Sequence, residues 1–173
     1  MHVLGGYTDP VKQVHLFVSD GVEGFDATLR RELRRRLRRM VRASGCADEV
    51  FGQLFVRIVE DDEMSALHEA HMGLAGPTDV LSFPADDPTH APETAGFGDV
   101  AIDWDQVRRQ ARGEGPGAWL DEATVLAVHG FTHLLGHDHA TAAQGRRMHA
   151  VERRLLRRLN VQDVPRPYGR GVA

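Results

Sequence analysis

Residues 120–139 read LDEATVLAVHGFTHLLGHDH, an apolar stretch that runs into four closely spaced histidines. Leu120, Ala123, Ala127, Phe131 and Leu134 recur at helical spacing, and Val125, Val128, Thr132 and Leu135 widen their stripe. Apolar residues around that much of the circumference predict a helix from about Leu120 to Leu135, packed on most sides. Asp121 and Glu122 then stand at its positive N-terminal end. His129 and His133, four residues apart, share one face about a turn from each other. Gly136 can end the helix at positive φ, which lets His139 swing back toward the first two rings.

The pattern HxxxHxxGxxH supplies three neutral nitrogens and leaves a fourth tetrahedral position open, as catalytic zinc sites do. A ligand pair on a packed helix is also held rigidly. Zinc is the expected ion, although imidazole suits nickel, copper and iron as well. His137 is an alternative third ligand, but its two-residue step from the helix end matches no common open zinc pattern.

Composition limits the remaining possibilities. A chain of 173 residues, 42% hydrophobic and 27% charged, reads as a single domain over residues 1–173 with a substantial core. The lone Cys46 excludes an internal disulfide and a cysteine zinc site, so a metal must be held by His, Asp or Glu. The start, MHVLGGYTDP, lacks the basic flank and apolar core of a signal peptide, and no run reaches the ~18 apolar residues of a membrane span. A cytoplasmic location is the simplest expectation. The net charge of −4 argues against a nucleic-acid binder, but the charge is segregated. Eight arginines lie between Arg30 and Arg42, opposed there only by Glu32, while acids concentrate between Asp86 and Glu122.

Along the chain, the first nine residues read as a loose end and Val11 to Ser19 as a strand. Asp26 is placed to cap a helix whose apolar stripe is Leu29, Leu33, Leu37, Met40 and Val41. Its remaining faces are arginine, and a row such as Arg30, Arg34 and Arg38 is either a solvated surface or a track for RNA phosphates. Arg34 and Arg38 are the candidate RNA contacts. Gln53 to Val59 is a second strand, and Asp61 or Asp62 caps a helix to about Met72. His68 and His71, without a third ligand, read as surface residues. Asp79 to Pro84 is a third strand, Ala85 to Gly96 a loop that can move, and Phe97 to Asp103 a fourth strand. Asp99 within that last strand is expected either to orient a ligand histidine or to hold a loop. Trp104 to Arg112 forms a helical turn or two before the linker GEGPG. A final helix spans about Thr141 to Asn160, with Met148, Val151, Leu155 and Leu159 inward and arginines outward. Residues from about 161 to 173 read as a disordered tail.

The histidine motif has a relative whose chemistry differs. In HExxH metalloproteases a glutamate after the first histidine serves as general base, and here that position is Gly130. General acid–base help is worth ~10²–10⁴ in rate, so peptide hydrolysis would suffer. A phosphodiester can itself take up a proton, and a metal can polarise its oxygen, which favours a nuclease.

HGFTHLLGHDH, PTDVLSFP at Pro77 to Pro84 and GDVAI at Gly98 to Ile102, in that family's order, together resemble the bacterial YbeY endoribonucleases, also described as rRNA maturation factors. The likeness runs from about Val11 to Leu159. It implies an α+β fold with a four-stranded mixed sheet, about five helices, and a metal site at the C-terminal end of the central helix. It further implies a zinc-dependent endoribonuclease specific for single strands, acting in 16S rRNA 3′-end maturation and ribosome quality control at the small subunit. Its zinc ligands map onto His129, His133 and His139. Met72 stands where many members have an RNA-contacting arginine, and His137 where many have tyrosine. Asp138, before the third ligand, fits the pattern and is the candidate for handling a proton or orienting the site; a turn residue bonding its own backbone is the competing role. Water attack is the expected route, with attack by the 2′-OH left open. The alternatives from other classes are a metalloprotease-like hydrolase and a non-catalytic zinc-containing ribosome assembly factor. The oligomeric state is left open.

Overall fold

The computed structural model describes residues 14–45, 52–85 and 97–162. Four strands, β1 (Val14–Val18), β2 (Leu54–Val59), β3 (Val80–Pro84) and β4 (Gly98–Asp103), form one sheet in the order β1-β2-β4-β3. β1, β2 and β4 are parallel, and β3 runs antiparallel to β4, so the sheet is mixed as expected. Five helices accompany it: α1 (Ala27–Ser44), α2 (Asp61–Met72), α3 (Trp104–Gln110), α4 (Pro116–Leu134) and α5 (Ala142–Leu159).

One face of the sheet carries the main core. Val14 and Leu16 of β1, Leu54, Val56 and Ile58 of β2, and Val100 and Ile102 of β4 are buried against α1, α4 and α5. The apolar stripe of α1 is buried as its spacing predicts, and Asp26 caps the helix by accepting from the Leu29 N–H at 2.8 Å. Thr141 and Gln144 exchange hydrogen bonds at the start of α5 in a capping box. The opposite sheet face is covered by α2 over a smaller cluster, Val59, Met64, Leu81 and Ala101.

Four expectations are corrected. α4 begins at Pro116 rather than near Leu120, because the supposed linker ends in a proline whose fixed φ and missing N–H suit the first turn of a helix. Asp121 and Glu122 are consequently not first-turn residues: Asp121 pairs with Arg36 at 2.6 Å, and Glu122 is buried. The N-cap of α2 is Glu60, with Asp61 and Asp62 inside the first turn, where carboxylates complement the helix dipole. Val161, assigned to the tail, is buried in the main core. Strand residues 11–13, the first nine residues, the loop residues 86–96, Cys46 and the tail residues 163–173 lie outside the described residues. Among the described residues, no helix is long and apolar enough to cross a membrane.

Candidate metal centre

The centre is built on α4, which is buried almost continuously from Glu122 to Thr132. Its position against the sheet is set by Gly130. A Cβ there would lie 2.7 Å from Val100 Cγ1 and 3.0 Å from Ser82 Oγ, so the helix approaches β3 and β4 where a side chain would collide. Ser82 uses the approach to donate to the Gly130 carbonyl at 3.1 Å. The residue that would be the base of a metalloprotease thus faces the sheet and has no room for a carboxylate.

His129 and His133 project from the last turns of α4, with ring centroids 4.8 Å apart. After Leu135 the chain reverses at Gly136, whose φ is +84°, and the His137 N–H returns to the Thr132 carbonyl at 3.2 Å. This turn brings the His139 ring to 5.5 Å from His129 and 5.0 Å from His133. One ring nitrogen from each of the three lies within 4.8 Å of the others. His137 is not in the group; its backbone carbonyl, not its ring, serves the centre.

The protonation of two rings follows from their partners. His133 donates from Nδ1 to the His137 carbonyl at 3.0 Å, and a carbonyl only accepts, so the proton sits on Nδ1 and the Nε2 lone pair is free in the neutral ring. Burial, reinforced by His129 and His139, lowers the His133 pKa and favours that neutral form. His129 points Nδ1 at Glu152 Oε1, 2.7 Å away, and Glu152 is only 4% exposed. The second oxygen of Glu152 lies 3.4 Å from His149 Nδ1. Three nitrogen donors, two of them oriented by acceptors behind the ring, fit a borderline cation such as zinc.

Sequence reasoning missed Glu152. The signal was an acid set on the apolar stripe of α5, one turn after Met148 and three residues before Leu155, where a solvated carboxylate has no reason to stand. Asp99, considered for an orienting role, is instead exposed; the buried carboxylate of β4 is Asp103. Asp138 is exposed, and its Oδ1 accepts from the His139 N–H at 2.7 Å, a local bond that shapes the last step into the third ring. Arg34 is exposed and Arg38 half-buried in a concavity formed by arginines of α1, which none of the three histidines lines. Met72 is 61% exposed at the end of α2. His68 donates from Nδ1 to the Gly76 carbonyl at 2.8 Å, and His71 packs on Phe83.

A second set of clustered acids, Asp61, Asp103 and Asp105, joins α2 to α3. Asp103 Oδ1 caps α3 by accepting from the Asp105 and Gln106 N–H groups, and Asp105 accepts from the Asp61 N–H. Arg109 pairs with Asp61 and Arg108 with Asp105, so guanidinium groups already neutralise two of the three carboxylates. Burial, together with the neighbouring Asp61, pushes the Asp103 pKa up to about 7.

Known proteins resemble this chain in sequence and in fold. The family model described as "Endoribonuclease YbeY" matches residues 19–160. A protein of that name from Rhodopseudomonas palustris (strain HaA2) is 40% identical over 124 residues, covering 68% of this chain and 63% of the relative, so the match spans under two thirds of that relative's length. One from Chelativorans sp. (strain BNC1) is 39% identical over 134 residues, covering 76% and 82%. Another, from Halorhodospira halophila, is 44% identical over 115 residues, covering 65% and 73%. A solution structure of a Thermotoga maritima protein shares the fold with a TM-score of 0.56 at 22% identity, over 84% of this chain and 88% of that one.

Proposed function

We propose that this chain, which belongs to the YbeY endoribonuclease family, is a zinc-dependent endoribonuclease that cuts single-stranded RNA. Its substrate in this reading is the 3′ end of 16S rRNA, cut during maturation and quality control on the small ribosomal subunit in the cytoplasm. The observation that carries the reading is the convergence of His129, His133 and His139, whose ring nitrogens lie within 4.8 Å of one another. When bound there, a zinc ion supplies Lewis acidity, which makes a nucleophile from water near neutral pH and neutralises charge on a phosphoryl group.

The chain's own residues do the rest. His129, His133 and His139 hold the ion, Glu152 fixes the His129 ring from behind, and the His137 carbonyl does the same for His133. Asp138 positions His139 through its backbone N–H and is the nearest sequence neighbour able to take a proton. Gly130 removes the base that follows the first histidine in metalloproteases, which disfavours peptide substrates, whereas the oxygens of a phosphodiester can accept a proton themselves. Arg34 and Arg38 offer positive charge to the RNA backbone.

The test offers the purified chain single-stranded RNA, duplex RNA and casein, before and after chelation and with zinc restored. Zinc-dependent cleavage confined to single-stranded RNA is expected. Casein cleavage would favour the protease reading. Loss of fold on chelation with no turnover on any substrate would favour a structural zinc protein.

A further inference from the structure

α1 and α5 together carry eight and six arginines, and their only acids are Glu32 and Glu152. Neither acid balances the charge at large. Glu32 is taken by Arg35 and Arg31 on its own helix, and Glu152 is buried against His129 and His149. The two helices pack together, and Arg39 crosses between them to the Arg158 carbonyl at 2.7 Å. A groove between them is lined by Arg39, Arg42, Arg154 and Arg158. It continues along α1 past Arg38, Arg34 and Arg30, and along α5 past Arg157. Among the described residues, no carboxylate pairs with Arg34, Arg42, Arg154, Arg157 or Arg158. In a chain of net charge −4, this is a concentrated cationic face.

A helix needs far less charge than this to stay soluble, and the residue chosen is arginine throughout, with no lysine on either helix. Guanidinium forks match phosphate oxygens two at a time, which a point-charged ammonium does not. The exposed side of both helices lacks the large apolar residues that insert into a lipid surface, because their apolar stripes are spent on the core. It also lacks Phe, Tyr and Trp on which unpaired bases could stack.

We propose that the α1–α5 face docks the phosphate backbone of duplex RNA, separately from the metal centre, so that a folded RNA is held by its helical part while a single-stranded segment reaches the histidines. The polyanion is taken as RNA on the strength of the function proposed above. Contact is with phosphates alone, so binding is independent of sequence and strongly dependent on salt.

The experiment measures equilibrium binding of a duplex RNA across a salt series, with His133→Ala as background in every arm so that the RNA stays intact. Arg34, Arg42, Arg154 and Arg158, all exposed, are replaced together by Gln, and thermal melting confirms folding. Each phosphate contact contributes roughly 0.9 to the slope of log K against log salt, so the fourfold variant should lose about three to four from that slope. Arg112→Gln, an exposed arginine outside the two helices, should lose at most about one. An unchanged slope in the fourfold variant, or no duplex binding by the parent, overturns the proposal. Tighter binding to phosphatidylserine vesicles than to duplex RNA, lost on the same substitutions, would overturn it in favour of a lipid surface. Cleavage of single-stranded RNA by the wild-type chain is read separately: its absence alongside the expected slopes would remove the catalytic reading and leave the docking face standing.

Discussion

Replacing Glu152 by alanine isolates the part of the candidate centre that lies behind the histidines. In the folded chain the carboxylate is 4% exposed and sits 2.7 Å from His129 Nδ1. That contact fixes which nitrogen of His129 carries the proton and which way the ring points. Partners of this kind are worth about 10–100-fold in metal affinity, or roughly 1.4–2.7 kcal/mol at ~1.36 kcal/mol per decade. Zinc affinity measured by competition with a chromogenic chelator should therefore fall by about that factor in Glu152→Ala. Glu152→Gln retains an acceptor of the same reach and should lose less. Leu156→Ala is the control, since it opens a cavity on the same helix at a residue 2% exposed and should cost about 2–5 kcal/mol of stability. It removes no partner of a histidine, so zinc affinity of the folded protein should hold. Wild-type zinc affinity in folded Glu152→Ala would refute the orienting role.

Gly130→Ala places a Cβ against the stiff Val100 side chain, and overpacking of about 1–3 kcal/mol should outweigh the ~1 kcal/mol gained in helix propensity. A melting temperature at or above wild type would contradict the close approach of α4 to the sheet. The Asp103 pKa, raised from 3.8 to about 7 chiefly by burial, makes the folded state bind the proton more tightly than the unfolded one. Its contribution to stability is then complete below about pH 4 and lost as pH rises toward 7, so Asp103→Asn should flatten the melting-temperature profile across that range and raise stability above it. Parallel profiles for the two proteins would count against this. Thr141→Ala removes one half of the capping box and should cost about 1 kcal/mol by denaturant titration, with zinc still bound; no measurable loss would mean that the helix start is held by other contacts.

What could be read in the chain depended on how local each determinant is. The stripe of α1 and the pair His129 and His133 are set by spacing within one helix, and both were legible. So was the role of Gly136, because only a reversal at that point returns His139 to the pair. Glu152 was not, since its partner lies 23 residues away on another helix and nothing local marks the contact. Asp99 and Asp103 share a face of β4 by parity, yet one is exposed and the other fully buried. Asp103 is enclosed where it caps α3 beside Asp61 of α2, a tertiary contact that period-two reasoning does not carry. The start of α4 was misplaced because Gly115, Pro116 and Gly117 read as a linker, although a proline at the first helical position belongs to the helix.

In the proposed function, His129, His133 and His139 hold a metal on which RNA cleavage depends. This dependence is tested most directly by measuring bound zinc and single-stranded RNA cleavage on the same samples of wild type and His133→Ala. One zinc per wild-type chain, with zinc and cleavage lost together in the folded variant, is the expected result. A variant that cleaves as fast as wild type while holding no zinc would contradict it.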